Sequence, residues 1–79
     1  MNLTNPVDKR IGAQVRRRRL ELDISVEHLA SAMVVPALQI TQWEAGVGRI
    51  GARHLLDIAR ILGVGPGFFF RDAKPPTLN

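Results

Sequence analysis

Six of the eleven basic residues of this 79-residue chain, Lys9, Arg10, Arg16, Arg17, Arg18 and Arg19, fall within eleven consecutive positions. Such a cluster is either a solvated helix face or a patch that faces phosphates and releases their counterions. The net charge of +4 suits an anionic partner and says nothing of fold. Catalytic chemistry has no constellation to work with. Ser25 has no histidine placed to activate it and is better explained as a helix cap. Glu27 and Asp57 belong on exposed helix faces, and Gly63-Val64-Gly65 follows a helical pattern where a phosphate loop would follow a strand. No enzyme is expected. The chain has no cysteine, so a disulfide scaffold and a thiolate metal site are excluded. His28 and His54 read as isolated surface residues, and no metal or other cofactor is expected. No apolar run approaches the ~18 residues of a membrane span, and residues 1–5 lack the pattern of a secretory signal. The expectation is a cytoplasmic protein with no membrane partner.

What must position these side chains is a series of short helices, punctuated by glycine, proline and small polar residues, with no alternation that would suggest strands. The hydrophobic fraction of 46% is that of a folding chain, and the length allows one small domain. Asn5-Pro6-Val7-Asp8 is a helix start: Asn5 can cap, Pro6 suits the first position, and Asp8 faces free amides. Ile11, Val15 and Leu22 form the apolar stripe of this helix, which ends near Leu22. Arg18 and Arg19 lie on or beside the stripe, so at least one needs a partner.

A second helix spans about 25–33, capped by Ser25, with Ile24 and Leu29 as a hydrophobic staple and Leu29, Ala30 and Met33 inward. A third runs from Pro36 or Ala37 to Glu44 or Ala45 and is closed by Gly46. Its inward residues are Ile40 and Trp43, while Ala37, Leu38, Thr41 and Gln42 point away from the core. Trp43 could be a stacking platform for single strands, but its spacing from Ile40 favours core. The loop Val47-Gly48-Arg49-Ile50-Gly51 leads to a fourth helix, Ala52–Leu62, with Leu55, Ile58, Ala59 and Leu62 on one face and Gly63 past its end. A brief fifth turn follows Pro66. The expected layout is an all-α five-helix domain over 6–72, with a flexible arm at 1–5 and a flexible tail at 73–79.

Helices two and three are separated by only about three residues, Met33-Val34-Val35. A link this short is typical of helix-turn-helix units, in which the first helix crosses the phosphate backbone and the second presents side chains to base edges. Ile11-Gly12, Val15-Arg16, Arg19, Ile24-Ser25, Glu27, Leu29-Ala30, Val35, Ile40, Trp43-Glu44, Gly46, Leu55, Ile58-Ala59 and Leu62-Gly63-Val64 together resemble the Cro and repressor family of helix-turn-helix regulators. The resemblance covers nearly the whole chain, from Ile11 to Phe70. Asn5-Pro6-Val7-Asp8 and Arg49-Ile50-Gly51-Ala52 further resemble a group of such regulators common in proteobacteria.

The resemblance implies a lambda-repressor-like fold and roles for particular residues. Arg19 and Glu44 match a partly buried salt bridge between helix one and the end of helix three. Ala37, Leu38 and Gln42 match the outward positions of the recognition helix that reach bases. Gln39 and Thr41 match neighbours that touch base or backbone, and Arg49 lies in a loop that approaches phosphate or the minor groove. Arg16, Arg17 and Arg53 are further phosphate candidates, each also readable as a plain surface charge.

The chain also departs from the family pattern. Val26 stands where a glutamine usually binds phosphate, leaving backbone amides as the anion contact there. Val34 replaces the turn glycine, so a turn that demands positive φ is strained or adjusted. Pro36 replaces a Ser or Thr cap. Ala37 and Leu38 can touch thymine methyl groups and form no hydrogen bonds, which leaves Gln42, supported by Gln39, as the hydrogen-bonding reader.

Phe68, Phe69 and Phe70 cannot all be buried on one face of a short turn. One or two should close the core and at least one should remain for a partner, and a two-fold homodimer on double-stranded DNA is the expectation. The sequence thus points to a DNA-binding transcriptional regulator. Its rival is an antitoxin-like or adaptor module that kept the fold with weakened base readout. So small a domain leaves little room for a ligand pocket, and no small-molecule ligand is evident.

Overall fold

Four α-helices and one 3₁₀ turn make up the computed structural model, which describes residues 5–70: α1 Pro6–Glu21, α2 Val26–Met33, α3 Ala37–Glu44, α4 Ala52–Leu62 and the turn Pro66–Phe70. There is no β-strand among the described residues. The described residues are all-α, as expected. The fifth helix is a single 3₁₀ turn, because Pro66 and Gly67 are poor helix formers and the aromatic run that follows is short. Apart from Asn5, the expected arm and tail lie outside the described residues.

Local chemistry sets the helix starts. The Asn5 side chain accepts from the Val7 amide at 2.8 Å, with Pro6 in the first helical position. Ser25 accepts from the His28 amide at 2.9 Å. Pro36 and Gly51, which precede α3 and α4, supply no side-chain cap.

All four α-helices end by one device. Ile24, Val35, Val47 and Val64 donate their amides back to the carbonyls of Arg19, Ala30, Gln42 and Ala59, at 2.9–3.0 Å. The residue before each, Asp23, Val34, Gly46 or Gly63, is left-handed, with φ of 58°, 58°, 81° and 69°. Each of these also donates to the carbonyl three residues earlier. These are Schellman closures, and the residue after the left-handed one is apolar in every case, as the motif prefers. Two of the four use glycine. Val34 does not, and the turn keeps its positive φ rather than adjusting.

Val15, Leu29, Ile40, Ile58, Leu62 and Phe69 form the innermost core, joined by Ile11, Ala30, Trp43, Leu55 and Ala59. α1 packs on α3 and on the 3₁₀ turn, while α2 packs on α3 and α4. Leu22, expected in the α1 stripe, is exposed; it lies just past the helix end, where the chain reverses. Arg19 takes the buried place four residues after Val15. Gly12 permits the α1–α3 contact: a Cβ there would collide with the Trp43 carbonyl oxygen and lie 2.9 Å from that of Glu44.

Candidate nucleic-acid interface

α3 is held from its inner side and open on its outer side. Ile40 and Trp43 are buried, and the Trp43 ring lies 5.0 Å from that of His54 at a 45° tilt. The tryptophan is therefore a core residue and no open stacking platform. Ala37, expected to face away from the core, is half-buried against it, since it precedes Ile40 by three residues and shares its face. Leu38 is 65% exposed. Gln42, one turn on, is exposed as well, and Gln39 is half-buried. The exposed Thr41 hydroxyl donates to the Ala37 carbonyl at 3.3 Å, so its proton is spent within the helix.

The C-terminal end of α3 is fixed by charge. Arg19 Nε lies 2.7 Å from Glu44 Oε2, and Nη2 lies 2.9 Å from Oε1. Both side chains are nearly out of solvent, at 8% and 5% exposure. The remaining Arg19 donor, Nη1, reaches the Ile24 carbonyl at 2.8 Å, just before the α2 cap. The hydrogen bond from Glu44 raises the Arg19 pKa above its ordinary value against the opposing effect of burial. The side chain stays cationic at any working pH. One guanidinium so ties α1 to both ends of the helix-turn-helix, and Glu44 has no capacity left for a nucleic acid.

Of the two arginines beside the α1 stripe, both have partners. Arg18 Nε donates to the Leu62 carbonyl at 2.9 Å and so caps the end of α4, with Glu21 at 3.4 Å from its Nη1. This contact has no local signal, because the two residues are 44 positions apart. Arg17 is exposed and pairs with Glu21 at 3.4 Å. Arg16 is exposed and has no ion pair among the described residues, and the same holds for Arg53 in the first turn of α4. Arg16 and Arg17 share a shallow depression with Glu44, which places both beside the end of α3. Arg49, in the α3–α4 loop, lies 3.3 Å from Asp8 near the start of α1. Val26, in place of a phosphate-binding side chain, is half-buried against the core.

The aromatic run divides. Phe69 is fully buried, Phe68 is half-buried and meets it edge-on with ring centres 5.4 Å apart, and Phe70 is 60% exposed. Phe70 borders an open apolar groove of about 590 Å³, walled by Val7, Ile11, Leu55, Leu56 and Pro66. The groove is open to solvent and lies between the start of α1, the first turn of α4 and the two ends of the 3₁₀ turn. Among the described residues no three His, Asp or Glu side chains gather to hold a metal, and no helix is long and apolar enough to cross a membrane.

The helix-turn-helix family matches residues 15–69. An HTH-type transcriptional regulator of Sinorhizobium medicae is 41% identical over 69 residues, covering 87% of this chain and 50% of that protein. The chain thus spans about half the length of that relative. Among solved structures, the restriction-modification controller protein C.AhdI of Aeromonas hydrophila superposes with a TM-score of 0.74 at 22% identity, covering 78% of this chain and 94% of the other. The P22 c2 repressor, solved in complex with a synthetic operator, gives 0.71 at 26% identity over 77% of this chain and 92% of the other. The matched stretch takes in the second half of α1, the whole helix-turn-helix and the aromatic turn, and the chain belongs to the Cro/C1-type helix-turn-helix family of transcriptional regulators.

Proposed function

We propose that this domain binds double-stranded DNA with sequence preference, with α3 in the major groove, and does so as a homodimer on a two-fold site. The observation that carries this reading is the two-sidedness of α3. Its inner face and its end are locked by Ile40, Trp43 and the Arg19–Glu44 bridge, while Leu38, Thr41 and Gln42 are exposed. A helix presented in this way can enter a groove without rearrangement. Arg16 and Arg17 beside its end, Arg49 in the next loop and Arg53 supply the phosphate contacts, and Gln42, with Gln39 in support, supplies hydrogen bonds to adenine. Ala37, half-buried, contributes at most a methyl contact. The operator of the P22 c2 repressor supports DNA as the ligand class. A cytoplasmic location follows from that ligand.

For the second copy, the exposed Phe70 ring and the apolar groove beside it occupy one face. A two-fold interface needs such a self-complementary surface, in which the ring of each protomer can enter the groove of the other.

Selection of bound sequences from random duplexes tests the reading. A recurrent two-fold motif is the expected result, with affinity falling steeply with salt. Four phosphate contacts per protomer, eight in the dimer, correspond to a slope of about −7 in log K against log salt. The adaptor reading draws on the apolar side chains Leu38 and Val34, 65% and 90% exposed, and on Val26. Absence of DNA binding even at low salt, or binding without any sequence preference, would favour it.

A further inference from the structure

We propose that His54 is a DNA contact in its own right: its imidazole, laid against the Trp43 ring, donates to a phosphate oxygen and takes up a proton from solvent as it does so. The proposal rests on the DNA-binding reading above and adds to it a dependence on pH.

His54 lies in the first turn of α4, directly after Arg53 and just past the loop that carries Arg49. Its ring centre is 5.0 Å from that of Trp43, at a 45° tilt, so the contact bridges the end of α3 and the start of α4. The indole is 5% exposed, whereas His54 is exposed, which puts the imidazole on the solvent side of the indole. A ring resting on a buried partner has already lost part of its rotamer freedom, and a further contact costs it less. At this separation an imidazolium is also attracted by the face of the indole. Neither imidazole nitrogen has a hydrogen-bond partner among the described residues.

The domain has no spare carboxylate to offer that ring. Asp8 of α1 lies 3.3 Å from Arg49, Asp57 of α4 lies 3.7 Å from Arg60, and Glu44 of α3 is bound by Arg19. Glu27 of α2 adds its field at the same Arg19. The other charges on these elements are cations: Arg53 has no ion pair among the described residues, and Lys9 of α1 backs onto Gly46 just past α3. The acceptor that suits an imidazolium here therefore comes from outside, and a phosphate is both acceptor and counter-charge. Histidine is the side chain that ordinarily changes charge between about pH 5 and 8. A phosphate beside it favours the protonated form, so DNA binding draws a proton and is tighter at low pH.

The test measures affinity for the duplex obtained by random-sequence selection, at fixed ionic strength, between about pH 5.5 and 8. A charge-assisted contact should outweigh the neutral one about fivefold per protomer, so the dimer should bind about 25-fold more tightly at the acid end. Calorimetry in buffers of different ionisation heat should register the uptake of up to about one proton per protomer. His54→Gln, which keeps a neutral donor, should reduce the pH effect to less than about threefold, and His28→Gln should leave it intact. His54→Arg, a permanent cation, should bind at the alkaline end as tightly as the parent does at the acid end. Trp43 is the single tryptophan of the chain and reports the ring pair directly. Its emission in the free protein should fall on acidification, through quenching by the imidazolium, and should not do so in His54→Gln. DNA binding that is independent of pH, or a pH dependence that survives in His54→Gln, overturns the proposal and leaves DNA recognition standing. Failure to bind any duplex overturns both.

Discussion

Replacing Val34 by glycine should stabilise the protein, although it deletes a hydrophobic side chain. Val34 holds φ 58° and ψ 47° at the end of α2, in the left-handed region that disfavours a β-branched residue. Its side chain is 90% exposed, so its loss forfeits almost no packing. The left-handed conformation costs about 1–2 kcal/mol for a residue with a Cβ. Glycine's extra freedom in the unfolded chain returns about 0.4–1 kcal/mol of that gain. A net stabilisation of about 0.5–1 kcal/mol remains, which for a domain of this size raises the Tm by roughly 2–8 °C. The turn itself needs no repair. Its two closing hydrogen bonds, 3.2 and 3.0 Å, resemble the 3.3 and 2.9 Å of the closure built on Gly63. Thermal and urea unfolding of Val34→Gly are the assays, with Gly63→Val as the reciprocal change and expected to destabilise. A Val34→Gly protein with an unchanged or lower Tm would refute the reasoning.

Three further changes probe other parts of the fold. Arg19→Met or Glu44→Leu alone should destabilise by about 3–5 kcal/mol in urea unfolding by leaving a buried charge unpaired, whereas the double variant should recover most of the loss; equal costs for single and double variants would deny the coupling. Gly12→Ala should destabilise by about 3 kcal/mol or more, because the added Cβ meets backbone and not a movable side chain, and near-neutral unfolding would show that α1 can shift away from α3. Arg16→Ala, which removes one contact from each protomer of the dimer, should reduce the magnitude of the salt slope of DNA binding by about 1.8 with unchanged site preference; an altered preferred sequence would place Arg16 on a base instead.

The helix borders were legible because they rest on neighbouring residues: Asn5 and Ser25 cap, and apolar side chains recur at helical spacing in Val26–Met33 and Ala52–Leu62. Features that depend on distant parts of the chain were less so. Periodicity puts Leu22 in the stripe of α1, but the buried place belongs to Arg19, whose partner is 25 residues away. Arg18 on the Leu62 carbonyl and Asp8 beside Arg49 join residues more than forty positions apart, and no local pattern announces either. Asp23 carries a left-handed reversal without glycine, so the end of α1 has no compositional mark. Gly12 stands in the stretch that resembles the family, yet its purpose emerges only when the carbonyls of α3 are seen against it. Of the outward positions on α3, Leu38 and Gln42 were placed correctly by spacing, and Ala37 was not, because it shares the face of Ile40.

The Arg19 guanidinium holds both the start of α2 and the end of α3 in the free protein. The helix that would meet DNA is ordered before the encounter, so association carries no folding step for this unit. A calorimetric titration should then give a heat-capacity change that scales with the surface covered by rigid docking alone, without the larger negative increment that marks a reader folding on its target. Association should likewise proceed in one kinetic phase, limited by diffusion and electrostatic steering.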